Sequence, residues 1–265
     1  MVHKVFPIRN LMVYGVLAAL LLTGCSQDAD TDPIPADQQI SQTEFSAVMN
    51  SDTWTGAADE ALAELFQSSG SPTGKSAAND CYSAEYTETG FTATFNNCVL
   101  NGTDNINGTV VVTYTTGSES TSFTAVYDNF YVGTVAISGT RSYSVSTGGE
   151  STLILDVDSD MSVTLADGSS WSESGSRTFT FTFGGSLETT TYAIEGGWTL
   201  ISEGNTYQAT VTSALSGNFQ CGYLTSGTLV LNKNGLSVSV DFGNGACDDT
   251  VVITYPNGQQ EERSL

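Results

Sequence analysis

From residue 81 onward, apolar and polar residues alternate along the chain with a period of two. In "RTFTFTF", Phe179, Phe181 and Phe183 alternate with threonines. Successive side chains of a β-strand point to opposite faces, so the pattern predicts strands with one buried and one solvated face. The same alternation occurs in "TVVVTY", "YQATVT" and "LSVSVDF". In residues 151–165 the side chains predicted to share the buried face are Leu153, Leu155, Val157, Met161, Val163 and Leu165.

Turn signals separate these runs, at Thr116-Gly117, Gly148-Gly149, Asp167-Gly168, Gly184-Gly185 and Asn234-Gly235. Asn-Gly and Asp-Gly favour tight hairpins, in which both central residues need positive φ. Because no helical segment between the runs is long enough for a crossover, the pattern predicts an all-β antiparallel meander. About a dozen strands are too many for one flat open sheet, so we expect the meander to curl into a barrel or fold over as a sandwich. A membrane barrel would alternate in the same way, but the tail "NGQQEERSL" provides no terminal aromatic strand.

A weak repeat accompanies the predicted strands. The segments "INGTVVV", "ISGTRSY", "IEGGWTL" and "TSGTLVL" place Gly108, Gly139, Gly196 and Gly227 at what the pattern suggests are strand starts. The intervals between them are unequal, which indicates recurring hairpins and no strict solenoid.

The chain before residue 81 has a different composition. Residues 26–40, "SQDADTDPIPADQQI", combine acids and prolines with little apolar bulk, which is typical of a flexible spacer. In residues 57–67, Ala58, Leu62, Leu65 and Phe66 recur at helical spacing and predict a short helix. We therefore divide the chain into a leader (1–24), a tether (25–40), a short helical segment with a loop (41–80) and a β-rich domain (81–265).

The leader has the three parts of a secretory signal. His3, Lys4 and Arg9 precede an apolar stretch at residues 11–22, too short for a comfortable membrane span, and small residues lead to Cys25. The segment "LTGC", residues 22–25, resembles the lipobox of bacterial lipoproteins. The resemblance covers the leader only. It implies that the leader is cleaved and that Cys25 carries acyl chains such as palmitate. It also implies, because Ser26 is not aspartate, a lipid-anchored protein of the cell envelope at the outer membrane of a Gram-negative bacterium.

Four cysteines remain once Cys25 is lipidated. "FTATFNNC" followed by "TVVVTY" resembles "LSVSVDFGNGAC" followed by "TVVITY", with a cysteine just before each second strand. Cysteines in matching local pairs in an exported protein predict the disulfides Cys81–Cys98 and Cys221–Cys247, although two other pairings are formally open.

The charge of the chain limits its partners. All 29 acidic residues lie after residue 24, where only five basic residues remain, so the mature chain has a formal charge of −24. Such a charge repels nucleic acid and anionic lipid headgroups, which argues against both as partners. Attachment to a membrane is therefore expected through the acyl chains on Cys25.

The sequence lacks the common catalytic templates. His3 is the one histidine and is removed with the leader, which excludes histidine-based triads and imidazole metal sites in the mature chain. No Gly-x-Ser-x-Gly elbow, phosphate loop or dinucleotide fingerprint occurs. We therefore expect no enzyme and no catalytic residues, with a glycosidase that uses two carboxylates as the catalytic alternative.

Two groups of oxygen donors are candidates for binding calcium, the one cofactor that the sequence suggests. Asp156, Asp158 and Asp160 in "DVDSD" resemble the start of a calcium loop, but Met161 occupies the position where the turn needs glycine. The alternation instead places these aspartates on the solvated face of one strand. The second group surrounds Cys247 in "DFGNGACDD" and consists of Asp241, Asn244, Asp248 and Asp249. Such residues more often bond their own backbone in turns.

Aromatic residues are the remaining candidates for binding. Trp171, Trp198, Tyr127 and Tyr131 lie near turns or in strands, where exposed rings can stack on sugars but more often belong to the core. The sequence therefore predicts a non-catalytic binding or envelope-structural module, with a glycan, lipid or protein as its undetermined ligand. A carrier that encloses a lipid or another apolar ligand is the alternative, because alternation does not separate a filled core from a lined cavity.

Overall fold

The structure is a computed structural model that describes residues 39–51, 56, 58, 59, 61, 62, 65, 77–78, 81–100, 105–115 and 121–265. The leader, Cys25 and most of the predicted tether lie outside these ranges, as do Phe66 and the Thr116-Gly117 turn. Chain contacts separate residues 1–33 from a compact unit of residues 34–265, to which all described residues belong. Within those residues, no helix is long and apolar enough to cross a bilayer.

The compact unit is dominated by one sheet. A helix, α1, spans Gln42–Met49, and residues 56, 58, 59, 61, 62 and 65 are also helical. The strands are β1 Ala77–Ala78, β2 Tyr82–Thr87, β3 Gly90–Cys98, β4 Ile106–Thr115, β5 Thr121–Val132, β6 Val135–Gly149, β7 Thr152–Thr164, β8 Ser170–Thr182, β9 Thr191–Ser202, β10 Asn205–Asn218, β11 Ser226–Lys233, β12 Leu236–Asn244, β13 Thr250–Thr254 and β14 Gln260–Ser264. All 14 follow one another in sequence order within the sheet. Each neighbouring pair is antiparallel, which confirms the predicted all-β meander.

The sheet is open at its two edges. In the described part of the chain, β1 pairs with β2 alone and β14 pairs with β13 alone, so no ladder joins the first strand to the last. Of the two shapes expected from the sequence, a closed barrel does not describe these strands. A curled or folded-over sheet does.

The strand register puts the buried side chains of successive strands on one side of the sheet, which we call the inner face. Val157 of β7 pairs with Tyr143 of β6 and with Arg177 of β8, and Trp198 of β9 pairs with Ala209 of β10. Directly paired residues point to the same side of a sheet. The opposite side, the outer face, therefore carries the alternate residues, which in β7 and β8 are mainly Ser, Thr and Asp.

Two clusters of buried side chains fill the inner face. The first joins β2–β7 to the helical residues Ala58, Ala61, Leu62 and Leu65, which confirms the predicted helix. The second joins β9–β13 to α1 and its flank through Ile40, Phe45 and Val48. Trp171 of β8 packs against both clusters.

The sequence interpretation missed α1, although its start was marked. Ser41 and Glu44 form a capping box, in which the Glu44 N–H donates to Ser41 Oγ at 3.2 Å and the Ser41 N–H donates to Glu44 Oε2 at 2.9 Å. Two residues of the predicted tether, 39 and 40, lie within the described ranges. Ile40 is fully buried in the second cluster, because an apolar side chain next to α1 is more stable inside than in water.

Of the glycines of the weak repeat, Gly108 and Gly227 lie near the starts of β4 and β11, as predicted, whereas Gly139 and Gly196 lie in the interior of β6 and β9. Gly139 has φ +128°, and a Cβ there would lie 2.2 Å from the carbonyl oxygen of Asp160 on β7. Gly108 has φ +105°, and a Cβ there would lie 2.0 Å from the carbonyl oxygen of Asn129, where β5 has a register shift. Glycine is needed because the neighbouring backbone approaches so closely, and such positions bend a sheet.

Both predicted disulfides are confirmed. Cys81–Cys98 connects the start of β2 to the end of β3, with the Cα atoms 5.1 Å apart. Cys221–Cys247 connects the β10–β11 loop to the β12–β13 loop, with the Cα atoms 5.8 Å apart.

Candidate functional site

Exposed aromatic side chains gather at one end of the sheet, where β8 ends, β9 begins and β10 ends. Phe183 is 54% exposed, Phe219 49% and Tyr223 42%, and Leu187 in the β8–β9 loop is 67% exposed. We call these residues, with the half-buried Phe181 and Tyr192, the end patch. The prediction that Phe183 lies on a buried face was wrong, because the chain here extends beyond the side chains that cover the inner face.

Ring contacts connect the end patch to the partly buried part of the inner face. The ring centroids of Phe179 and Phe181 are 6.4 Å apart in a stacked arrangement. Phe219 lies 6.3 Å from Phe181 and 5.6 Å from Tyr192, the latter with an edge-on geometry. The Tyr192 hydroxyl donates to the carbonyl oxygen of Tyr223 at 3.4 Å. Phe179, Phe181, Phe219 and Tyr192 therefore form one connected ring cluster. Phe183 follows it along the chain, and Tyr223 is joined to it through its backbone.

The loops that carry these rings are held by local bonds. In the β8–β9 loop, the Thr190 N–H donates to the Ser186 carbonyl at 2.9 Å. In the β10–β11 loop, Asn218 Oδ1 accepts from the Cys221 N–H at 2.8 Å, and Cys221 is fixed by its disulfide. A surface that is ordered before binding loses less conformational entropy when a partner arrives.

A groove of about 290 Å³ lies on the outer face at the same end of the sheet, and most of its lining residues carry a hydroxyl group. It is lined by Thr180, Thr182, Thr191, Tyr192, Ala193, Ser216, Gly217, Asn218 and Thr225. Phe181 pairs with Tyr192 on the inner face, whereas Thr182 pairs with Thr191 on the outer face. The end of the sheet thus presents apolar rings on one side and groups that donate and accept hydrogen bonds on the other.

The segments that carry the end patch have few charged residues of their own. Residues 204–232 contain no charged side chain, and residues 178–194 contain only Glu188. Other segments bring acidic residues to this end. The Cys221–Cys247 disulfide brings the β12–β13 loop with Asp248 and Asp249 to the β10–β11 loop, and the Phe183 N–H donates to the carbonyl oxygen of Ser151, next to Glu150.

A second groove, of about 450 Å³, lies at the opposite end of the same strands. Its walls include Ser162, Ser172 and Ile201 of the outer face, together with Trp171 and Glu203. Glu203 brings a carboxylate to this groove. Of these two grooves, the second alone has a charged side chain among its lining residues.

The three aspartates of β7 lie on the outer face. Asp158 and Asp160 are exposed and Asp156 is half-buried, as the alternation predicts. Thr178 of β8 donates its hydroxyl to Asp156 Oδ1 at 2.6 Å. Calcium binding by these residues stays a prediction.

The second acidic group lies at the exposed end of β12 and in the β12–β13 loop. Asp241 Oδ1 accepts from the Gly243 N–H at 2.9 Å, and Asp248 Oδ1 accepts from the Thr250 N–H at 3.0 Å. Asn244 and Asp249 are also exposed. In the ranges that the structure describes, no three His, Cys, Asp or Glu side chains are grouped so as to hold a metal ion. The hydrogen bonds are those of Asx turns, and calcium binding here also stays a prediction.

A buried arginine connects the inner face to the helical residues after α1, through the half-buried Asp59. Arg141 donates to Asp59 Oδ2 at 2.5 Å and to Ser159 Oγ at 2.9 Å, and the Tyr143 hydroxyl donates to Asp59 Oδ1. Burial, reinforced by Asp59, raises the pKa of Tyr143 far above its usual range. Burial also raises the pKa of Tyr127. These phenols therefore keep their protons, which suits a structural role better than proton transfer.

A second buried ion pair lies between the two clusters. Arg177 donates to Glu173 Oε1 at 2.8 Å, and its guanidinium carbon lies 4.4 Å from the centre of the Trp198 ring. Glu173 is 1% exposed. Both residues point inward because they have the same parity along β8 as Phe179. The alternation along β8 therefore could have predicted from the sequence that both residues are buried.

The aromatic candidates chosen from the sequence are mostly internal. Trp198 and Tyr127 are buried, Trp171 packs between the clusters, and Tyr131 is exposed. The end patch was missed because alternation alone does not show where the cover of the inner face ends.

Comparison with known proteins found no matching family model, no matching curated protein and no matching solved structure.

Proposed function

We propose that this chain is an exported lipoprotein, anchored in the cell envelope through Cys25, that works as a non-catalytic binding module. The end patch is the proposed contact surface, and it is the observation that carries the proposal. Contiguous exposed apolar surface that is ordered and rimmed by polar groups is typical of interaction sites in soluble domains.

The point where the tether joins the domain supports this use of the end patch. The Gln39 carbonyl accepts from Lys233 Nζ at 3.1 Å, and the Ile40 carbonyl accepts from Arg263 at 3.2 Å. Lys233 ends β11, whereas the end patch lies beside the start of that strand. Lys233 pairs with Tyr207 of β10, and Asn218 at the other end of β10 lies 11 residues further along, so about 35 Å separates the two ends. A protein anchored through its tether would present the end patch away from the point of attachment.

The internal contacts favour binding on the surface over carrying a ligand inside. The described inner face is packed by α1 in one cluster and by Ala58, Ala61, Leu62 and Leu65 in the other. The buried Arg141 and Arg177 each have an acidic partner. This arrangement supports a structural use of the inner face, and with the absence of histidine from the mature sequence it favours a module without catalytic activity.

Fatty-acid labelling tests the anchor. We expect the protein from cells grown with an alkyne-tagged fatty acid to carry the tag and to fractionate with membranes. A Cys25→Ser variant is expected to lose both properties. Equal labelling of the two proteins would contradict the anchor.

Envelope binding tests the contact surface. We expect the purified full mature protein to bind washed envelopes of the producing bacterium in a saturable manner, and a Phe183→Ala/Phe219→Ala double variant to bind at least about tenfold more weakly, as for hot-spot side chains. Ile201→Ala is the matched control, because Ile201 is 48% exposed at the other end of the sheet. Equal binding by all three proteins would refute the end patch as the contact surface, and hydrolysis of envelope material would refute a non-catalytic module.

A further inference from the structure

We infer that the end patch binds a cationic amphipathic polypeptide segment, whose apolar side chains cover the rings and whose Lys or Arg side chains pair with acidic residues around them. The inference rests on the proposed function, because it names the partner class of that same surface. Two features at this end of the sheet carry it, namely exposed rings on the inner face and acidic residues in the neighbouring loops.

The rings of the end patch lie on one side of the sheet. Phe181 pairs with Tyr192 across β8 and β9, and directly paired residues point to the same face. The Phe219 ring centroid lies 6.3 Å from that of Phe181 and 5.6 Å from that of Tyr192, so Phe219 shares this face. Phe183 follows Phe181 by two residues, and its N–H donates to the Ser151 carbonyl oxygen as a continued ladder would. The inner face therefore ends in an apolar surface, where Phe183 is 54% and Phe219 49% exposed.

Acidic residues of two loops lie next to Phe183. The Phe183 N–H donates to the carbonyl oxygen of Ser151 at 2.8 Å, and Glu150 precedes Ser151. The Cα atoms of Glu150 and Phe183 are therefore within about 10 Å of each other. Glu188 lies in the β8–β9 loop, five residues after Phe183, and both glutamates are exposed. A positive charge of a partner that covers this ring would lie about one screening length from a carboxylate.

A third acidic loop lies beside Phe219. The Cα atoms of Cys221 and Cys247 are 5.8 Å apart in the disulfide, and the exposed Asp248 and Asp249 follow Cys247 directly. Two Cα steps separate Phe219 from Cys221, so the Cα atom of Asp248 is within about 17 Å of that of Phe219. A partner segment that covers Phe219 would bring its flanking side chains towards these carboxylates.

The protein does not supply positive charge from the segments that carry the end patch. Residues 178–232 contain no Lys or Arg. The four basic residues in the described ranges each have an acidic partner elsewhere. These ion pairs are Arg141–Asp59, Arg177–Glu173, Lys233–Glu44 and Arg263–Glu261. A partner is therefore needed to bring positive charge to this surface.

Other occupants match only part of the surface. A second copy of the chain would bring the same excess of negative charge, and an anionic bilayer would be repelled for the same reason. A neutral acyl chain or a zwitterionic bilayer would fit the rings but would leave the acidic loops without a counter-charge. A polypeptide with apolar and basic side chains matches both parts, because complementary charge selects the partner while apolar contact contributes affinity.

Fluorescence anisotropy with defined peptides tests the inference. The probes are two labelled peptides of Leu and Lys, about 18 residues long, one with the apolar period of a helix and one with that of a strand. The comparison peptides carry Glu in place of Lys, or Ser in place of Leu. The protein is the full mature chain with Cys25→Ser, so that no detergent competes for the peptide. We expect saturable binding of at least one Leu/Lys peptide, with both comparison peptides at least about tenfold weaker.

The ring variants test the apolar half of the surface. Phe183→Ala/Phe219→Ala should weaken binding of the Leu/Lys peptide about tenfold or more, which is the usual cost of removing central contacts. Ile201→Ala, at an exposed position at the other end of the sheet, should leave the constant unchanged.

Two charge variants separate local contacts from the overall charge of the protein. Glu150→Gln/Glu188→Gln should weaken binding about fivefold at about 50 mM NaCl, as expected for the loss of two exposed ion pairs. Asp158→Asn/Asp160→Asn removes the same number of charges from exposed positions on the outer face of β7 and should leave the constant unchanged.

Several outcomes would overturn the inference. These are no saturable binding of either Leu/Lys peptide below about 1 mM, equal binding of the Leu/Glu peptide, no effect of the ring variant, or equal weakening by the two charge variants. Binding to phosphatidylcholine vesicles, or self-association in ultracentrifugation, that depends on Phe183 and Phe219 while no Leu/Lys peptide binds would also overturn it. Near-ultraviolet circular dichroism confirms that each variant is folded.

The envelope assay separates this inference from the proposed function. Envelopes treated with proteinase K should no longer bind the wild-type protein. If they bind it as before, while Phe183→Ala/Phe219→Ala loses envelope binding, the partner class is wrong and the contact surface is right. If the variant binds untreated envelopes as the wild type does, the proposed contact surface itself is wrong.

Discussion

The buried pair Glu173–Arg177 allows a quantitative prediction about stability. Glu173 Oε1 lies 2.8 Å from Arg177, and the two side chains are 1% and 6% exposed. Glu173→Gln keeps the size of the side chain and an oxygen that can accept from Arg177, but it leaves the buried guanidinium without its counter-charge. Removing one partner of a buried ion pair typically lowers the free energy of unfolding by about 3–5 kcal/mol. The Trp198 ring next to Arg177 still stabilises the positive charge, so we expect a loss at the lower end, about 3 kcal/mol.

Thermal and urea unfolding measure this loss. For a domain of this size each kcal/mol lowers the melting temperature by about 2–4 °C, so we expect a decrease of about 6–12 °C. Glu195→Gln is the matched control, because Glu195 is exposed on the outer face of the adjacent β9. That variant should stay within about 0.5 kcal/mol of the wild type.

The double variant Glu173→Leu/Arg177→Met sharpens the test. Replacing both members of a buried ion pair by apolar residues is often neutral, so it should recover most of the stability that Glu173→Gln loses. The reasoning is refuted if Glu173→Gln and Glu195→Gln melt at the same temperature. It is also refuted if the double variant is less stable than Glu173→Gln.

Two further predictions concern the sheet bend and the cap of α1. Gly139→Ala should lower the free energy of unfolding by more than about 2 kcal/mol, because φ is +128° and the new Cβ would meet the Asp160 carbonyl oxygen. Gly185→Ala, with open space around it, should change little; urea unfolding compares the two, and equal stability would contradict the bend. Burial acts to raise the pKa of Glu44, but hydrogen bonds from Lys233, Ser41 and Tyr207 outweigh it and lower the pKa from 4.5 to about 2. Because the folded-state pKa is lowered, the stabilisation is complete above about pH 4.5 and is lost as the pH falls towards 2. Glu44→Gln should therefore be less stable than the wild type at pH 7, with a gap that closes in this interval, and a gap independent of pH would contradict the ion pair.

Much of the fold was contained in local sequence signals. The alternation in β7 predicted which face of the strand holds Val157 and which holds Asp158, because the strand period of two leaves no other assignment. The matching surroundings of the four cysteines predicted both disulfides. Capping-box chemistry at Ser41 and Glu44 would have predicted α1 had it been used.

The candidate site was not predictable in the same way. Phe181 and Phe183 continue the same alternation, yet Phe181 is half-buried and Phe183 is exposed. The difference depends on where the packed cover of the inner face ends, and no local pattern encodes that. Phe219 joins Phe181 only because the meander places β10 two strands from β8.

The sequence by itself determined the strands, their two faces, the antiparallel order and the cysteine pairs, since each follows from the period of the chain or from neighbours along it. The tertiary structure alone decided that the sheet is open, that Arg177 and Glu173 meet Trp198 between two clusters, and that rings from separate loops form one end patch. The physical reason is that a side chain is buried only if other side chains pack against it in the folded protein. Residues distant in the sequence supply that neighbour, and only the folded chain brings them together.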